Sequence, residues 1–209
     1  MPEALLNFVV RLGWSHGDDE VISVEQMKQW FDLDHVGSVS GVWNPEKLLW
    51  VNQQWLKQLD PAVVAERFAP FAQAKGARAG DPRLPRMVEA LRARARTLQE
   101  MAEMAAYFFS DGVALDEKAA AKHLGPESKP VLQEVRAALA AVAEWKTEPL
   151  DGAIKTVSEK LKVGMGKVAQ PVRVAVTGNT ASPGIGETLE LVGREQALKR
   201  IDAALARGG

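Results

Sequence analysis

Four pairs of residues constrain this chain more than any other feature, and in each a helix-capping side chain is followed directly by proline: Asn44–Pro45, Asp60–Pro61, Asp81–Pro82 and Ser182–Pro183. Asn, Asp and Ser side chains accept hydrogen bonds from the first amides of a helix. Proline suits the first helical position because its φ is already helical and its missing N–H would have no partner there. Each pair therefore predicts the start of a helix.

Other capping signals divide the rest of the chain. Ser23 and Gln26 form a capping-box pattern before "VEQMKQWF", and Thr97 with Glu100 restarts or continues a helix. Asp116 precedes "EKAAAKHLG", Thr147 leads a further segment, and "VLQEVRAALAAVAEW" is rich in strong helix formers. The chain is therefore predicted to be all-α.

Composition excludes several classes of protein. The 46% hydrophobic and 25% charged residues are ordinary for a soluble globular chain, and no apolar run approaches the roughly 20 residues that span a bilayer. The first residues lack a basic signal-peptide segment. Without cysteine there is no disulfide, thiolate metal ligand or cysteine nucleophile. We expect a cytoplasmic protein with no membrane partner.

Tryptophan and charge are unevenly distributed. Five of the six tryptophans fall in the first 55 residues, where we expect them to fill the core of a small subdomain. Six arginines lie within residues 78–96: Arg78, Arg83, Arg86, Arg92, Arg94 and Arg96. Four lysines and Arg173 lie within residues 155–173, although the net charge is −1. These basic segments are either solvated helix faces or a focused site for an anionic partner.

The glycine-rich stretch "AQPVRVAVTGNTASPGIGETLELVG", residues 169–193, has the outline of a strand, a phosphate loop and a helix. A Walker loop needs a lysine, and residues 178–186 contain none. A dinucleotide fingerprint needs a third glycine that is missing after Gly184 and Gly186. Since no metal-ligand or Ser/His/Asp pattern appears either, we predict no cofactor, metal or catalytic site.

Two secondary structures compete around Val172, Val174 and Val176. Their alternation suits a strand, but a longer helical period includes this region: Leu161, Met165, Val168, Val172 and Val176. The longer period predicts a helix, with Arg173 at an exposed edge and a second helix beginning at Pro183. The result is either a pocket for a polar ligand or a helical corner with a surface arginine.

The chain resembles the C-terminal part of bacterial glutamyl-tRNA synthetases. The similarity rests on "QPVRVAVTG" followed by "SPGI", with "EALLNFVVRLGWSHGD", "NPEKLLWVNQQWL" and "ARTLQEMA" upstream, in the family's order. It implies a tRNA stem-contact subdomain in residues 1–59 and helical-bundle anticodon-binding subdomains in residues 60–110 and 111–209. The implied partner is tRNA(Glu), and we expect a monomer that does not bind DNA.

The resemblance also implies a catalytic domain upstream, in which HIGH-type and KMSKS-type signatures bind ATP with magnesium. Neither signature occurs in these 209 residues. We therefore expect this chain to be catalytically silent by itself. The parent would be a glutamate–tRNA ligase, a class I aminoacyl-tRNA synthetase of protein biosynthesis.

Site residues follow from the resemblance position by position. Arg94 matches the arginine that reads the first anticodon base, and a second set surrounds the last base, a cytosine: Gln170, Arg173, Ser182 and Ile185. Ser182 and Ile185 replace other small polar and aliphatic residues found in relatives.

A helical wheel separates the arginines of the first basic segment. An apolar stripe is formed by Met87, Leu91, Ala95 and Leu98. Arg94 lies about 60° from it, whereas Arg92 and Arg96 lie about 100° to 140° away on the other flank. Arg92 and Arg96 are therefore better placed to contact phosphates or solvent, and Lys167 of the second basic segment is a further candidate for a phosphate contact. An alternative function is a helical protein-interaction module that docks a separate catalytic partner, and a nucleotide-binding enzyme ranks third.

Overall fold

The computed structural model describes residues 1–37 and 41–207. In these ranges the secondary structure is helical, apart from turns, bends and one isolated β-bridge between Trp14 and Val36. The prediction of an all-α chain is confirmed.

The first six helices are α1 (Pro2–Val10), α2 (Val24–Trp30), α3 (Pro45–Gln58), α4 (Pro61–Gln73), α5 (Leu84–Leu91) and α6 (Leu98–Ala105). The next six are α7 (Glu117–His123), α8 (Lys129–Ala141), α9 (Thr147–Leu161), α10 (Met165–Thr177), α11 (Ile185–Val192) and α12 (Arg194–Ala206). Short 3-10 turns occupy Ala106–Phe108 and Pro126–Ser128.

Most predicted caps form. Ser23 and Gln26 make both hydrogen bonds of the capping box at the start of α2. The side chains of Asn44, Asp60 and Asp116 accept backbone N–H groups in the first turns of α3, α4 and α7. Thr97 Oγ1 accepts the N–H of Glu100 at 3.0 Å, so α6 is a new helix and not a continuation of α5.

Two capping pairs do not start their helices where the sequence predicts. After Asp81–Pro82 the helix begins at Leu84, with the Asp81 carboxylate accepting both the backbone N–H and the guanidinium of Arg83. After Ser182–Pro183 the helix begins at Ile185 with Gly184 as N-cap. The Ser182 hydroxyl is instead occupied by contacts with Arg173 and Thr188.

The chain forms two compact units. Unit 1 comprises Met1–Ala74 and Ala79–Glu103, and unit 2 comprises Lys75–Arg78 and Met104–Gly209. The proposed division into residues 1–59, 60–110 and 111–209 is finer than this and stays a prediction.

Unit 1 is organised around the fully buried side chain of Asn7 on α1. Its Oδ1 accepts the backbone N–H of Ile22 at 2.9 Å and the indole N–H of Trp55 at 3.2 Å. Its Nδ2 donates to the Glu20 carbonyl. Because a buried amide must satisfy both its donors and its acceptor, Asn7 fixes the loop after α1 against α3.

The expectation that the tryptophans fill the core holds only in part. Trp14 and Trp55 are buried, but Trp43 is 57% exposed and Trp50 is 40% exposed. Trp43 packs edge-on against Phe8, and the Lys47 ammonium lies 4.4 Å from the ring centre of Trp50. These two rings cover the surface of unit 1 and do not form its centre.

Unit 2 is built around α10, which contacts α7, α8, α9, α11 and α12. Val172, Val174 and Val176 are all fully buried. A helix that is packed on several sides can carry apolar residues around much of its circumference. This explains why valines occur at alternate positions of α10 and not only at the spacing of a single helical face. The helix interpretation of residues 172–176 is confirmed.

Gly178 ends α10 in a left-handed conformation with φ +81°. A Cβ at this position would collide with the backbone oxygen of Ala114. The Gly178 carbonyl also accepts the N–H of Asp116 at 2.9 Å. The end of α10 and the start of α7 are therefore in backbone contact.

Arg200 on α12 is only 4% exposed, and its guanidinium binds three backbone carbonyls of unit 2. It donates to Val176 at 2.6 Å, to Tyr107 at 2.9 Å and to Ser110 at 2.5 Å. Burial lowers the pKa of Arg200 below its usual value. Arg200 thus joins the last described helix to α10 and to the segment before α7.

None of the helices in the described ranges combines the length and the apolar character needed to cross a membrane.

Candidate nucleic-acid interface

In unit 2, α10, the following loop and the first turns of α11 form a bend that we call the α10–α11 corner, residues 170–188. Arg173 is half-buried at its centre. Its Nη1 donates to the Pro183 carbonyl at 2.6 Å and to the Ser182 hydroxyl. The expectation of an exposed edge is therefore wrong for Arg173, because the loop folds back over its guanidinium.

A buried hydroxyl lies behind this contact. The Thr188 side chain on α11 is fully buried, with its Oγ1 3.0 Å from Ser182 Oγ and 3.4 Å from the Pro183 carbonyl oxygen. Ser182 Oγ also lies 3.1 Å from that carbonyl. One guanidinium nitrogen and two hydroxyls thus converge on a single backbone oxygen.

The start of α11 is fixed by α9. The Asp151 carboxylate accepts the N–H of Gly186 at 2.8 Å, so this amide of the first turn is not open toward the loop. A Cβ at Gly186 would lie 2.5 Å from the Thr147 carbonyl and 2.6 Å from the Asp151 carboxylate. Glycine at position 186 is what lets the two helices approach this closely.

Glu190 makes a second link between the two helices. Its Oε2 accepts the Thr147 hydroxyl at 2.6 Å and the Thr147 N–H at 2.7 Å. These hydrogen bonds, chiefly the one from the hydroxyl, hold the pKa of Glu190 below its ordinary value. The Trp145 indole N–H also donates to the Leu189 carbonyl. Several hydrogen bonds therefore hold α11, which forms one side of the corner, against α9 and Trp145.

The other predicted members of the corner expose little surface. Ser182 is 8% exposed and Ile185 is 7% exposed. Gln170 is half-buried, and its Oε1 is enclosed without a hydrogen-bond partner among the described residues. The structure brings Arg173 and Ser182 into contact and places Gln170 one turn before Arg173 on α10.

Lys167 lies on a different side of α10. It borders a cleft of about 660 Å³ formed by α7, the 3-10 turn before α8, and the start of α10. The cleft is also lined by Lys122, His123 and Glu127. Within the described parts of the chain, no ion pair involves Lys167 or Lys122. Lys167 and Lys122 are exposed, whereas Arg173 in the corner is half-buried.

In unit 1, Arg94 is exposed in the turn that follows α5. The helical wheel predicts a helix that continues past residue 94, but α5 ends at Leu91. The turn is closed by a hydrogen bond from the N–H of Arg94 to the Leu91 carbonyl at 2.9 Å. Arg94 therefore projects from a turn, and an ideal helical wheel does not fix the direction of its side chain.

The two flanking arginines have protein partners. Arg92 donates to the Leu59 carbonyl at 3.2 Å. Arg96 lies between two carboxylates, with Glu46 at 3.3 Å and Glu100 at 3.1 Å. A phosphate that approached Arg96 would compete with these carboxylates.

Sequence reasoning missed Thr188 and Asp151, the two residues that shape the corner from outside the loop. Asp151 is separated from Gly186 by 35 positions along the chain, and no local spacing pattern indicates the contact. Thr188 was one polar residue among several in "GETLELVG". Its burial depends on packing between α9 and α11, which the sequence does not specify.

An all-α unit with an arginine corner and a separate basic cleft has the character of a nucleic-acid-binding domain. The family model described as "Anticodon binding domain" matches residues 63–205, so the chain belongs to the anticodon-binding domain family. Over 210 aligned residues it is 64% identical to the glutamate–tRNA ligase of Myxococcus xanthus (strain DK1622) and 45% identical to that of Anaeromyxobacter sp. (strain K).

Solved structures agree. A crystal structure of a glutamate tRNA ligase from Elizabethkingia meningosepticum, in complex with its amino acid, is 29% identical with a TM-score of 0.89. The match covers 98% of this chain and 41% of that one. Both curated relatives are covered over 44% of their length, so the chain spans less than half of them. The resemblance to the anticodon-binding part of glutamate–tRNA ligases is confirmed.

Proposed function

We propose that this chain binds tRNA(Glu) and reads its anticodon, as part of a glutamate–tRNA ligase. The α10–α11 corner is the observation that carries the proposal. A guanidinium held at a defined position in an anticodon-binding domain is suited to one base edge. Gln170, Arg173, Ser182 and Ile185 form the site for the last anticodon base, and Arg94 forms the site for the first.

Arginine matches the base expected there. Cytosine offers acceptors on its Watson–Crick edge, and single-stranded loops are read on that edge when their bases splay outward. The guanidinium presents its donors in a planar fork, which fixes the direction of approach. Because Ser182 and Ile185 are almost buried, Ser182 orients Arg173 and Ile185 forms the apolar wall beside the base.

The backbone of the tRNA would lie on the basic surfaces. In unit 2 the cleft bordered by Lys167, Lys122 and His123 suits a phosphodiester, because its two ammonium groups have no carboxylate partners among the described residues. In unit 1, Arg92 and Arg96 remain candidates for phosphate contacts. Arg92 is the stronger of the two, since Arg96 is already paired with Glu46 and Glu100.

In the whole enzyme this binding would position the tRNA for aminoacylation by a catalytic domain that uses ATP and magnesium. The chain itself would be a cytoplasmic monomer without catalytic activity, divided into a stem-contact part (residues 1–59) and two anticodon-binding parts (60–110 and 111–209). ATP–pyrophosphate exchange by the purified chain should be undetectable. Exchange that survived rigorous purification would contradict this assignment.

The base-reading proposal is tested with an anticodon stem–loop of tRNA(Glu) and a copy changed at the last anticodon base. A double-mutant cycle combines that base change with Arg173→Ala. We expect a coupling free energy of about 1–3 kcal/mol, because loss of the guanidinium leaves a buried base edge without its donor. Arg136→Ala is the matched control, since Arg136 is an exposed arginine of unit 2 paired with Asp202. Coupling near zero for Arg173 would overturn base reading by the corner.

A protein-docking module is the second candidate, and one surface favours it. On α1, Leu5 is 49% exposed, Leu6 is 42% exposed and Val9 is 50% exposed. Their spacing places them on one face of the helix, and a contiguous apolar face commonly marks a contact with another protein. If this were the main function, the stem–loop would bind no more tightly than an unrelated hairpin of equal length.

A further inference from the structure

Arg173 does not set its own direction in the α10–α11 corner. Its Nη1 contacts the Ser182 hydroxyl and the Pro183 carbonyl, and both belong to an irregular loop between two helices. Ser182 in turn lies 3.0 Å from Thr188 Oγ1. Thr188 is the member of this group that belongs to a regular helix other than α10, and it is fully buried.

The hydroxyl protons couple these residues. Ser182 Oγ accepts an N–H from Arg173, so its single proton is directed to Thr188 Oγ1 or to the Pro183 carbonyl. That carbonyl already receives Arg173 Nη1 at 2.6 Å. Thr188 Oγ1, at 3.0 Å, is slightly nearer to Ser182 Oγ than the Pro183 oxygen at 3.1 Å, and it belongs to a regular helix, so its hydroxyl contributes to fixing the rotation of the Ser182 hydroxyl. Without the Thr188 hydroxyl, the Ser182 side chain could adopt more than one orientation, and so could the Arg173 guanidinium that contacts it.

We propose that Thr188 is a positioning residue for base reading: without contacting RNA, it aligns the Arg173 guanidinium through Ser182. This inference rests on the proposed function of the corner. It goes further by assigning part of the discrimination between anticodon bases to a residue with no exposed surface.

Three variants test the role. Thr188→Val keeps the shape and removes the hydroxyl, Thr188→Ser keeps the hydroxyl, and Thr156→Val is the control. Thr156 is an exposed threonine on α9 whose Oγ1 donates to the Gly152 carbonyl, one turn earlier in its own helix. Melting followed by circular dichroism verifies folding first, and Thr188→Ala replaces the valine variant if that one does not fold.

The readout is the ratio of dissociation constants for the base-changed and cognate stem–loops. Thr188→Val should reduce this ratio about three- to tenfold, the equivalent of one hydrogen bond. Thr188→Ser and Thr156→Val should retain the wild-type ratio. A residue that only stabilised the fold would lower the melting temperature and leave the ratio unchanged, and that result would overturn the inference.

A second comparison asks whether Thr188 acts through Arg173. Adding Thr188→Val to Arg173→Ala should change the ratio no further, since the guanidinium that it aligns is gone. Additive effects would overturn the inference while leaving base reading by Arg173 intact. A wild-type chain that did not distinguish the two stem–loops would instead overturn the proposed function, and this inference with it.

Discussion

Unit 1 and unit 2 each contain an arginine that the sequence marks as a tRNA contact, and the two are held in opposite ways. The Arg96 side chain of unit 1 is 45% exposed and contacts two surface carboxylates. Arg173 of unit 2 is half-buried and contacts a hydroxyl and a backbone carbonyl of a loop that closes over it.

The two arginines differ in how precisely their guanidinium groups are oriented. A surface ion pair in water contributes little to stability and forms in many side-chain geometries. Hydrogen bonds to a backbone carbonyl form in only a few orientations of the guanidinium. Charge density along the sequence is similar for both arginines, but only the second has a defined direction. Basic residues in a chain therefore indicate where an anion could approach, and burial decides which of them could recognise a particular group.

The comparison depends on the tight fit of the α10–α11 corner, and Gly186→Ala would break that fit. The added Cβ would collide with the Thr147 carbonyl and the Asp151 carboxylate. We expect unfolding to become easier by about 3 kcal/mol, since backbone atoms cannot give way cheaply. The control is Gly152→Ala on α9, where a Cβ meets nothing within 4 Å and should stabilise the helix by about 0.5–1 kcal/mol. Urea denaturation measures both, and equal effects would contradict the close fit.

Alanine substitution at each arginine compares the two units directly. Arg173→Ala should lower the free energy of unfolding by about 1–2 kcal/mol, because the hydrogen bonds to Ser182 and Pro183 are lost in a half-buried place. Arg96→Ala should lower it by less than about 1 kcal/mol, the usual range for exposed ion pairs. Thermal melts at low and high salt add a second criterion, since salt screens only the surface pairs. Similar losses of unfolding free energy in both variants would contradict the proposed difference between the buried and the exposed arginine.

The salt dependence of tRNA binding sharpens the same point for phosphate contacts. Lys167→Gln should reduce the slope of log K against log salt concentration by about 0.7–0.9, because the ammonium borders an open cleft. Arg96→Gln should change it less, since Glu46 and Glu100 already compensate its charge. Titrations at several salt concentrations give both slopes. If neither variant altered the slope, neither Lys167 nor Arg96 would contact a phosphate.

The smallest expected effect is a change in how the free energy of unfolding depends on pH. Because the folded pKa of Glu190 lies below its ordinary value of 4.5, its carboxylate contributes stability that is present above the unfolded-state pKa. That stability is lost as pH falls through the folded pKa. Glu190→Gln should therefore lose less stability than the wild type between about pH 7 and about pH 3. Denaturation curves across this range measure the difference, and parallel curves would show that the carboxylate contributes nothing.

Local chemistry in the sequence was sufficient for most helix starts. Asn44, Asp60 and Asp116 cap through contacts within a few residues, so their spacing alone predicts them. The predicted helix starts were wrong at Asp81–Pro82, where the helix begins at Leu84, and at Ser182, where Arg173 and Thr188, nine and six positions away, contact the same hydroxyl. A capping residue predicts the helix start reliably only where no other side chain occupies its capping group.

The same holds for the candidate site: some of its contacts could be predicted from the sequence and others could not. The resemblance placed Arg173 and Ser182 together, and the structure brings them into contact. Asp151 and Thr188 reach the corner through packing between α9 and α11, which depends on helix lengths and crossing geometry. Arg94 was assigned to a helix because its neighbours share a 3.6-residue period, although α5 stops at Leu91.

The buried arginine of α12 has a consequence for the time at which unit 2 matures during synthesis. Arg200 binds the carbonyls of Tyr107 and Ser110, which are translated about ninety residues earlier. Those carbonyls have no access to this guanidinium until residue 200 has left the ribosomal exit tunnel. Non-local closure of this kind is slow because the chain entropy of the intervening loop is lost first. A nascent chain that already contains α10 and α11 therefore still lacks the contact that completes unit 2.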